Sequence, residues 1–297
     1  MIVHLNGRLV PAAEARVSPF DRGYLFGDGV YEGLRAFAGR IVGLSRHVDR
    51  LREGLEESRI AWNADRLVDV CAGLLEANRL ADAFIYVQVT RGAPGPGQPV
   101  RTRIPAGPME PAVFAYCTPQ APLSSFDHAE PATVSVRTRP DTRWSRGRLK
   151  SISLLGNVLS AIEASEHAAG DAILVRDGLV AEATAANVLL ARAGRVVTPS
   201  LESVPILAGV TRAILLEACP EIESRAVAEH ELAEADEVMI VGTTTMVTSV
   251  VTLDGRPVGD GRPGPVARRL LGDLVGAIRR DIGLHESERC TRAAASR

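Results

Sequence analysis

The sequence predicts an α/β (α+β) protein of two domains, and three observations carry that expectation. The 297 residues are 46% hydrophobic, enough to fill two medium-sized cores. Helix-like and strand-like hydrophobic periodicities alternate along the first 117 residues and resume after residue 128. Between them TPQAPLSSFDH, residues 118–128, is rich in turn formers and reads as an interdomain linker. The expected organisation is an N-terminal α/β domain at 1–117, a linker at 118–128, a C-terminal domain at 129–282 and a disordered tail at 283–297.

MIVHLNGRLV reads as a strand, an Asn-Gly turn and a second strand. It lacks the basic-then-apolar pattern of a secretion signal, so a cytoplasmic protein is expected. Leu44, Val48, Leu51 and Leu55 recur at helical spacing, and a second helical pattern covers residues 65–80. FIYVQVTRG and AVFAYC read as strands. Between them APGPGQPVRTRIPAGPMEP is dense in Gly and Pro and is expected to be a long irregular excursion. ATVSVRT is the next strand. A helix is expected over residues 150–168, with Ile152, Leu155, Leu159 and Ile162 on one side. Short strands follow, punctuated by turns at Asp177-Gly178 and Ala193-Gly194. GVTRAILLEA opens a helix, EVMIVG is a strand, TLDGRPV is a hairpin, and a helix from Pro265 to Arg280 closes the fold. HESERCTRAAASR is polar and aperiodic, which suits a frayed end.

A net charge of −2 gives no broad basic field for nucleic acid, and no apolar run is long enough to span a bilayer. Cys71, Cys117, Cys219 and Cys290 are scattered, without a CxxC pair or a histidine at ligand spacing. They read as thiols, and no metal site is expected.

The chain holds 34 lysine and arginine residues, and Lys150 is its single lysine. Arginine serves surface charge and ion pairing equally well, but only a lysine amine readily loses its proton and attacks a carbonyl. An aldehyde cofactor such as pyridoxal 5′-phosphate (PLP) would be its natural partner. That cofactor needs an anion site for its phosphate and an acid beside its pyridine nitrogen. Leu207-Ala208-Gly209-Val210-Thr211 runs into an apolar helix, where backbone N–H groups and the Thr211 hydroxyl suit an anion. Gly242-Thr243-Thr244-Thr245 supplies hydroxyls and amides at a strand end. Arg50 suits a charge-assisted phosphate contact, and Glu182, in LVAEATAAN, suits a pyridinium. Each also has a structural alternative, as turn glycine, strand threonine or solvated charge.

The stretches SPFDRGYLFGDGVYEGLRAFAG, HVDRLREG, VQVTRG, LKSISLLGNVLSAIEA, GLVAEATAANVLL, LAGVTRAILLEA and DEVMIVGTTTMVTSVVTLDG occur in this order. Together they resemble the class IV, or fold-type IV, PLP-dependent aminotransferases, and among those the D-amino acid transaminases. The resemblance implies two domains with the active site at their interface, the C-terminal one being the PLP-binding domain, in a homodimer whose loops reach into the partner subunit. It further implies that Lys150 is the Schiff-base lysine and shuttles the proton between the substrate α-carbon and the cofactor. Glu182 would hold the pyridine nitrogen. Arg50, the amides of Val210 and Thr211 after Gly209, and Thr243 with Thr244 would bind the phosphate, and Leu207 would pack on the ring.

The branch of the family is less uniform. Leu155 stands where branched-chain aminotransferases usually have tyrosine and D-amino acid transaminases leucine. Tyr31-Glu32-Gly33-Leu34-Arg35 resembles the branched-chain pattern, in which the arginine lies near substrate, while Tyr31 suits either branch as a substrate-side hydroxyl. The Arg-x-His pair that holds the substrate carboxylate in D-amino acid transaminases is replaced by Arg101-Thr102-Arg103. Two guanidiniums can still grip a carboxylate, and the change leaves room for R-configured primary amines. The expected activity is ping-pong transfer of an amino group from a D-amino acid to a keto acid such as pyruvate or 2-oxoglutarate. A branched-chain L-amino acid aminotransferase and an aminodeoxychorismate lyase are the alternatives, and a scaffold with a relic cofactor site is the non-catalytic one.

Overall fold

The computed structural model describes residues 1–284; the tail HESERCTRAAASR lies outside the described residues. Two compact units form: Met1–Ala121 with Leu149–Leu154, and Pro122–Arg148 with the described chain from Leu155 to Leu284. The expected C-terminal domain is therefore interrupted at the lysine. The linker expected at 118–128 is also partly regular, since a strand runs to Pro119 and Leu123–Phe126 make a 3-10 turn.

The first unit contains β1 (Ile2–Leu5), β2 (Arg8–Pro11), α1 (Arg22–Phe26), β3 (Gly29–Phe37), β4 (Arg40–Ile41), α2 (Leu44–Ser58), α3 (Arg66–Asn78), β5 (Ala83–Thr90) and β6 (Ala112–Pro119). Its antiparallel sheet has the order β2-β1-β6-β5-β3-β4. Period-two alternation assigns the faces. Ile85, Val87 and Val89 of β5 join Val48, Leu51 and Leu55 of α2 and Leu67, Leu74 and Leu75 of α3 in one core. Phe84, Tyr86 and Gln88 point the other way. There Tyr31 of β3, Tyr86 of β5 and Tyr116 of β6 form an aromatic row, with successive ring centroids 5.5 and 5.3 Å apart.

The Gly/Pro-dense excursion at 93–111 contains no helix or strand. It opens at Gly92, whose φ of +89° favours glycine and where a Cβ would lie 1.9 Å from the Glu110 carbonyl oxygen. The two ends of the loop touch at that point, so its length does not separate β5 from β6.

The second unit contains β7 (Ala132–Pro140), α4 (Leu155–Ser165), β8 (Asp171–Arg176), β9 (Leu179–Ala183), β10 (Asn187–Arg192), β11 (Arg195–Pro199), α5 (Val210–Ala218), β12 (Glu223–Arg225), α6 (His230–Glu234), β13 (Glu237–Gly242), β14 (Met246–Leu253), β15 (Arg256–Pro257) and α7 (Pro265–Asp281). Its mixed sheet runs β12-β11-β10-β13-β14-β7-β8-β9, with β15 paired to β14. α7 lays a stripe including Leu270, Leu274 and Ile278 into the unit, against β14 and α5.

The helix expected from residue 150 starts at Leu155. Residues 149–154 are extended instead, because they pair with β3: Val30 bridges Ser151, the Tyr31 amide donates to the Lys150 carbonyl at 3.0 Å, and the Ile152 amide donates to the Gly29 carbonyl at 3.1 Å. The apolar side of α4 faces outward. Leu155, Val158, Leu159 and Ile162 are all 48% exposed or more, and the helix buries only the small Ser160 and Ala164.

Candidate active site

Lys150 projects from the short extended segment clamped to β3, so its backbone is fixed by sheet pairing rather than by a helix start. Its Nζ lies 4.2 Å from the centroid of the Tyr31 ring, at one end of the aromatic row. Of the residues expected on the substrate side, Tyr31 is thus brought directly against the lysine.

On the opposite, helix-covered face of β3, the carboxylate of Glu32 is completely buried. Arg50 of α2 meets it in a fork, with Nε donating to Oε1 at 2.8 Å and Nη2 to Oε2 at 2.7 Å. His47, one turn earlier on α2, lies 2.7 Å from Oε2 through Nδ1. Burial pushes the Glu32 carboxyl up, but the Arg50 charge, His47 and their hydrogen bonds outweigh it and hold the carboxyl at about 2. Burial holds His47 below its ordinary value despite Glu32. Facing a carboxylate, His47 carries a proton on Nδ1 and donates it to Oε2. Arg50 is oriented by a buried anion, which the sequence reading of Arg50 alone did not include. The signal was present as Glu32 in a strand followed by His47 and Arg50 at helical i, i+3 spacing.

In the second unit Glu182, in β9, receives Arg143 Nη1 on Oε1 at 2.5 Å. Arg143 is anchored in turn by Asp141 at 2.9 Å and 3.0 Å. Burial lowers the Arg143 affinity for its proton, and the two carboxylates more than reverse that. On Oε2, Glu182 receives the Leu207 amide at 3.1 Å and Asn187 Nδ2 at 3.2 Å. The same Asn187 nitrogen donates to the Leu207 carbonyl at 3.0 Å. Asn187 also presses on Gly209, where a Cβ would lie 2.0 Å from Oδ1. One carboxylate, one asparagine and the segment 207–209 are therefore knitted into a single unit. That segment delivers the N-terminus of α5, whose N-cap is Gly209 and which no side chain caps. The first amides of a helix lack intrahelical partners and favour an anion. Val210 and Thr211, both buried, are those first residues. Arg143 and Asn187 were not singled out from the sequence: each owes its role to partners 39 and 20 residues away.

Thr243 and Thr244 occupy the turn between β13 and β14, Thr243 half-buried and Thr244 exposed. Beside them the Oγ1 of Thr245 is buried without a hydrogen-bond partner. An orphaned buried hydroxyl is costly, and an ordered water or a ligand oxygen beside this turn would satisfy it.

Arg35 lies on the same face of β3 as Tyr31. Its guanidinium is buried over the Phe37 ring, with Nη1 donating to Gln120 Oε1 at 3.1 Å and Nη2 to the Ala121 carbonyl at 2.9 Å. Arg101 and Arg103 are exposed on the 93–111 loop, Arg101 stacking over Phe26.

A family model described as Amino-transferase class IV matches residues 29–253. The chain belongs to this family. This class IV aminotransferase is 38% identical over 284 residues to the D-alanine aminotransferase of Bacillus licheniformis, a match covering 94% of this chain and 97% of that one. It is 34% identical over 277 residues to a putative branched-chain-amino-acid aminotransferase of Methanocaldococcus jannaschii, covering 91% and 94%. Its fold matches the branched-chain amino acid aminotransferase of Escherichia coli with a TM-score of 0.80 at 24% identity, over 93% of each chain. The class IV aminotransferases depend on PLP, and the donor set here fits that cofactor: an uncapped helix N-terminus and an orphaned threonine hydroxyl for the phosphate, and a carboxylate for a protonated ring nitrogen. Among the described residues no helix is long and apolar enough to cross a membrane.

Proposed function

We propose that this class IV aminotransferase transfers the amino group of a D-amino acid, D-alanine or D-glutamate among them, to pyruvate or 2-oxoglutarate in a ping-pong cycle. The observation that carries the cofactor half of this reading is the knitted unit of Glu182, Asn187 and the α5 N-terminus. Its two charge preferences, anionic at Glu182 and anion-accepting at α5, match the two ends of a pyridinium phosphate. The substrate half rests on the similarity to D-alanine aminotransferases and on the loop arginines.

Bound PLP supplies an electron sink that lets the donor's α-carbon give up a proton. Lys150 is the group that moves this proton, at Nζ, held in place by the pairing of residues 150–152 with β3. Tyr31 lines the approach to Nζ. Glu182 keeps the ring nitrogen protonated, with Arg143 and Asn187 fixing the direction of its two oxygens. Val210, Thr211, Thr243, Thr244 and Arg50 hold the phosphate, and Leu207 packs against the ring. Arg101 and Arg103 receive the substrate carboxylate.

The working form is a homodimer in the cytoplasm. The exposed Leu155, Val158, Leu159 and Ile162 stripe of α4 is an apolar face that a second copy would cover. Cys71, Cys117 and Cys219 are buried thiols outside any disulfide, which suits a reducing compartment. Light scattering of the wild type and of Leu159→Glu tests the dimer: the variant should lose mass by half, and an unchanged dimer would remove α4 from the interface.

The branched-chain reading is supported by the relative from M. jannaschii and opposed by the burial of Arg35, whose terminal nitrogens are spent on Gln120 and Ala121. Single donors added to the PLP-loaded protein without acceptor separate the two. D-alanine and D-glutamate should discharge the visible absorbance band, and L-leucine and L-glutamate should not. Discharge by the L-donors alone would establish the branched-chain reading. Product formation that needs no keto acid would indicate a lyase.

A further inference from the structure

Arg22, the first residue of α1, is buried to 94% of its surface and makes more contacts than a helix start requires. Its Nε donates to Asp28 at 2.7 Å, and its guanidinium stacks over the Phe26 ring at 4.7 Å. The two terminal nitrogens donate outward, Nη1 to the Thr102 carbonyl at 2.6 Å and Nη2 to the Arg103 carbonyl at 3.0 Å. Those carbonyls lie in the middle of the irregular loop at 93–111, some 80 residues away in sequence.

The clamp itself is anchored twice. Asp28 is gripped by Arg91 through both carboxylate oxygens at 2.8 Å, and Arg91 also donates to the Ser58 carbonyl at 2.7 Å at the end of α2. The Arg22 amide donates to the Gly92 carbonyl at 2.9 Å, where the loop leaves β5. The loop has no helix or strand of its own and few internal bonds, between Gly95 and Gln98 and from Thr102 Oγ1 to the Ile104 carbonyl, so fixed donors aimed at consecutive carbonyls restrict its conformations further. The same Phe26 ring carries the Arg101 guanidinium 5.6 Å from its centroid. Backbone at 102 and 103 and side chain at 101 are thus all referred to one five-residue helix.

We propose that Arg22 is a positioning residue that sets the geometry of Arg101 and Arg103 for the substrate carboxylate. This inference rests on the reading that those two arginines receive the carboxylate. A planar fork can serve Asp28 and two carbonyls at once, whereas a lysine, as a point donor, cannot span them. Loosening the loop should weaken capture of the carboxylate and leave the proton transfer at Lys150 nearly unchanged.

The test uses R22Q, R22K and the double variant R101A/R103A in the PLP-loaded enzyme, with two readouts. The first is limited trypsin digestion, read by mass spectrometry at the bonds after Arg101 and Arg103. Both Arg22 variants should be cut there at least about tenfold faster, with cleavage elsewhere unchanged; uniform acceleration would instead show general destabilisation and overturn the proposal. The second is kinetics with D-alanine. R22Q should raise KM about tenfold with kcat within a factor of about three, R22K should fall between it and wild type, and R22Q should add nothing to R101A/R103A. If R101A/R103A raises KM but R22Q does not, the Arg22 proposal alone fails. If R101A/R103A leaves KM unchanged, the carboxylate reading has failed and the proposal with it, even where the loop is cut faster.

Discussion

Glu32 and Arg50 form a forked ion pair, with contacts of 2.8 and 2.7 Å and no solvent exposure at the carboxylate. A buried pair of this kind is strongly destabilising when one partner is removed, because the other is left charged and unpaired. It also ties the Arg50 side chain of α2 to β3 in the core of the first unit.

The pair makes stability dependent on acid. The Glu32 carboxyl is held at about 2 in the fold against 4.5 ordinarily, so its stabilisation is complete above the ordinary value and is lost as pH falls toward 2. His47 is also held below its ordinary 6.5, which adds loss of stability on acidification below that value. Urea unfolding should show stability level above pH 6.5, sagging below it and falling most steeply between 4.5 and 2, with about 3 kcal/mol assigned to Glu32. Glu32→Gln should cost about 3–5 kcal/mol at neutral pH and flatten the steep limb. An acid limb identical in the variant would remove Glu32 as its source.

Because Lys150 is the only lysine, covalent capture has a single side-chain target. Borohydride reduction of the PLP-loaded protein should place the cofactor on one tryptic peptide, the one containing Lys150. Lys150→Arg should carry no label and should lose turnover by at least about 10²–10⁴-fold, the usual contribution of a proton-transfer group. Label on the N-terminal amine in place of Lys150 would refute the assignment.

Gly209 has an ordinary φ of −67°, so its requirement is spatial rather than conformational. In Gly209→Ala the new Cβ would fall 2.0 Å from Asn187 Oδ1, and Asn187 cannot swing away without releasing Glu182 and Leu207. Overpacking of this sort costs about 1–3 kcal/mol. The melting temperature should drop and PLP affinity should fall by about tenfold or more, corresponding to at least 1.4 kcal/mol. Asn187→Ala combined with Gly209→Ala should melt no lower than Asn187→Ala alone, since the clash is removed, and should not recover the affinity.

How far the sequence could be read depends on the range of the interaction. α2, β5 and α7 were legible because hydrophobic period is local and each buries one face. The glycine and threonine clusters at 209–211 and 242–245 were legible because loop-to-helix and strand-end chemistry is written in consecutive residues. Lys150 stands out in the sequence by its solitude, yet its local structure was not legible there. The helical pattern at 155–162 overran the lysine, and only pairing with β3, more than a hundred residues earlier, makes residues 149–154 extended. Arg143, Asn187 and Arg22 were invisible for the same reason, being defined by partners remote in sequence. The apolar side of α4 shows the converse: periodicity identified the stripe but not that this chain leaves it exposed.

Thr245 separates cost in the empty protein from gain in the loaded one. Its buried hydroxyl lacks a partner, and an unsatisfied buried polar group costs about 1–3 kcal/mol. Thr245→Val keeps the shape and removes the group, so the protein stripped of PLP should become more stable. If the hydroxyl exists to meet the phosphate beside Thr243 and Thr244, the same variant should bind PLP about tenfold more weakly, the equivalent of one hydrogen bond to an anion. Thermal melts without cofactor, and equilibrium titration with it, read the two quantities independently. Opposite signs would identify Thr245 as a cofactor contact. A gain in stability with unchanged affinity would make it a packing defect in the turn between β13 and β14, and a loss of stability would show that the hydroxyl has a partner of its own.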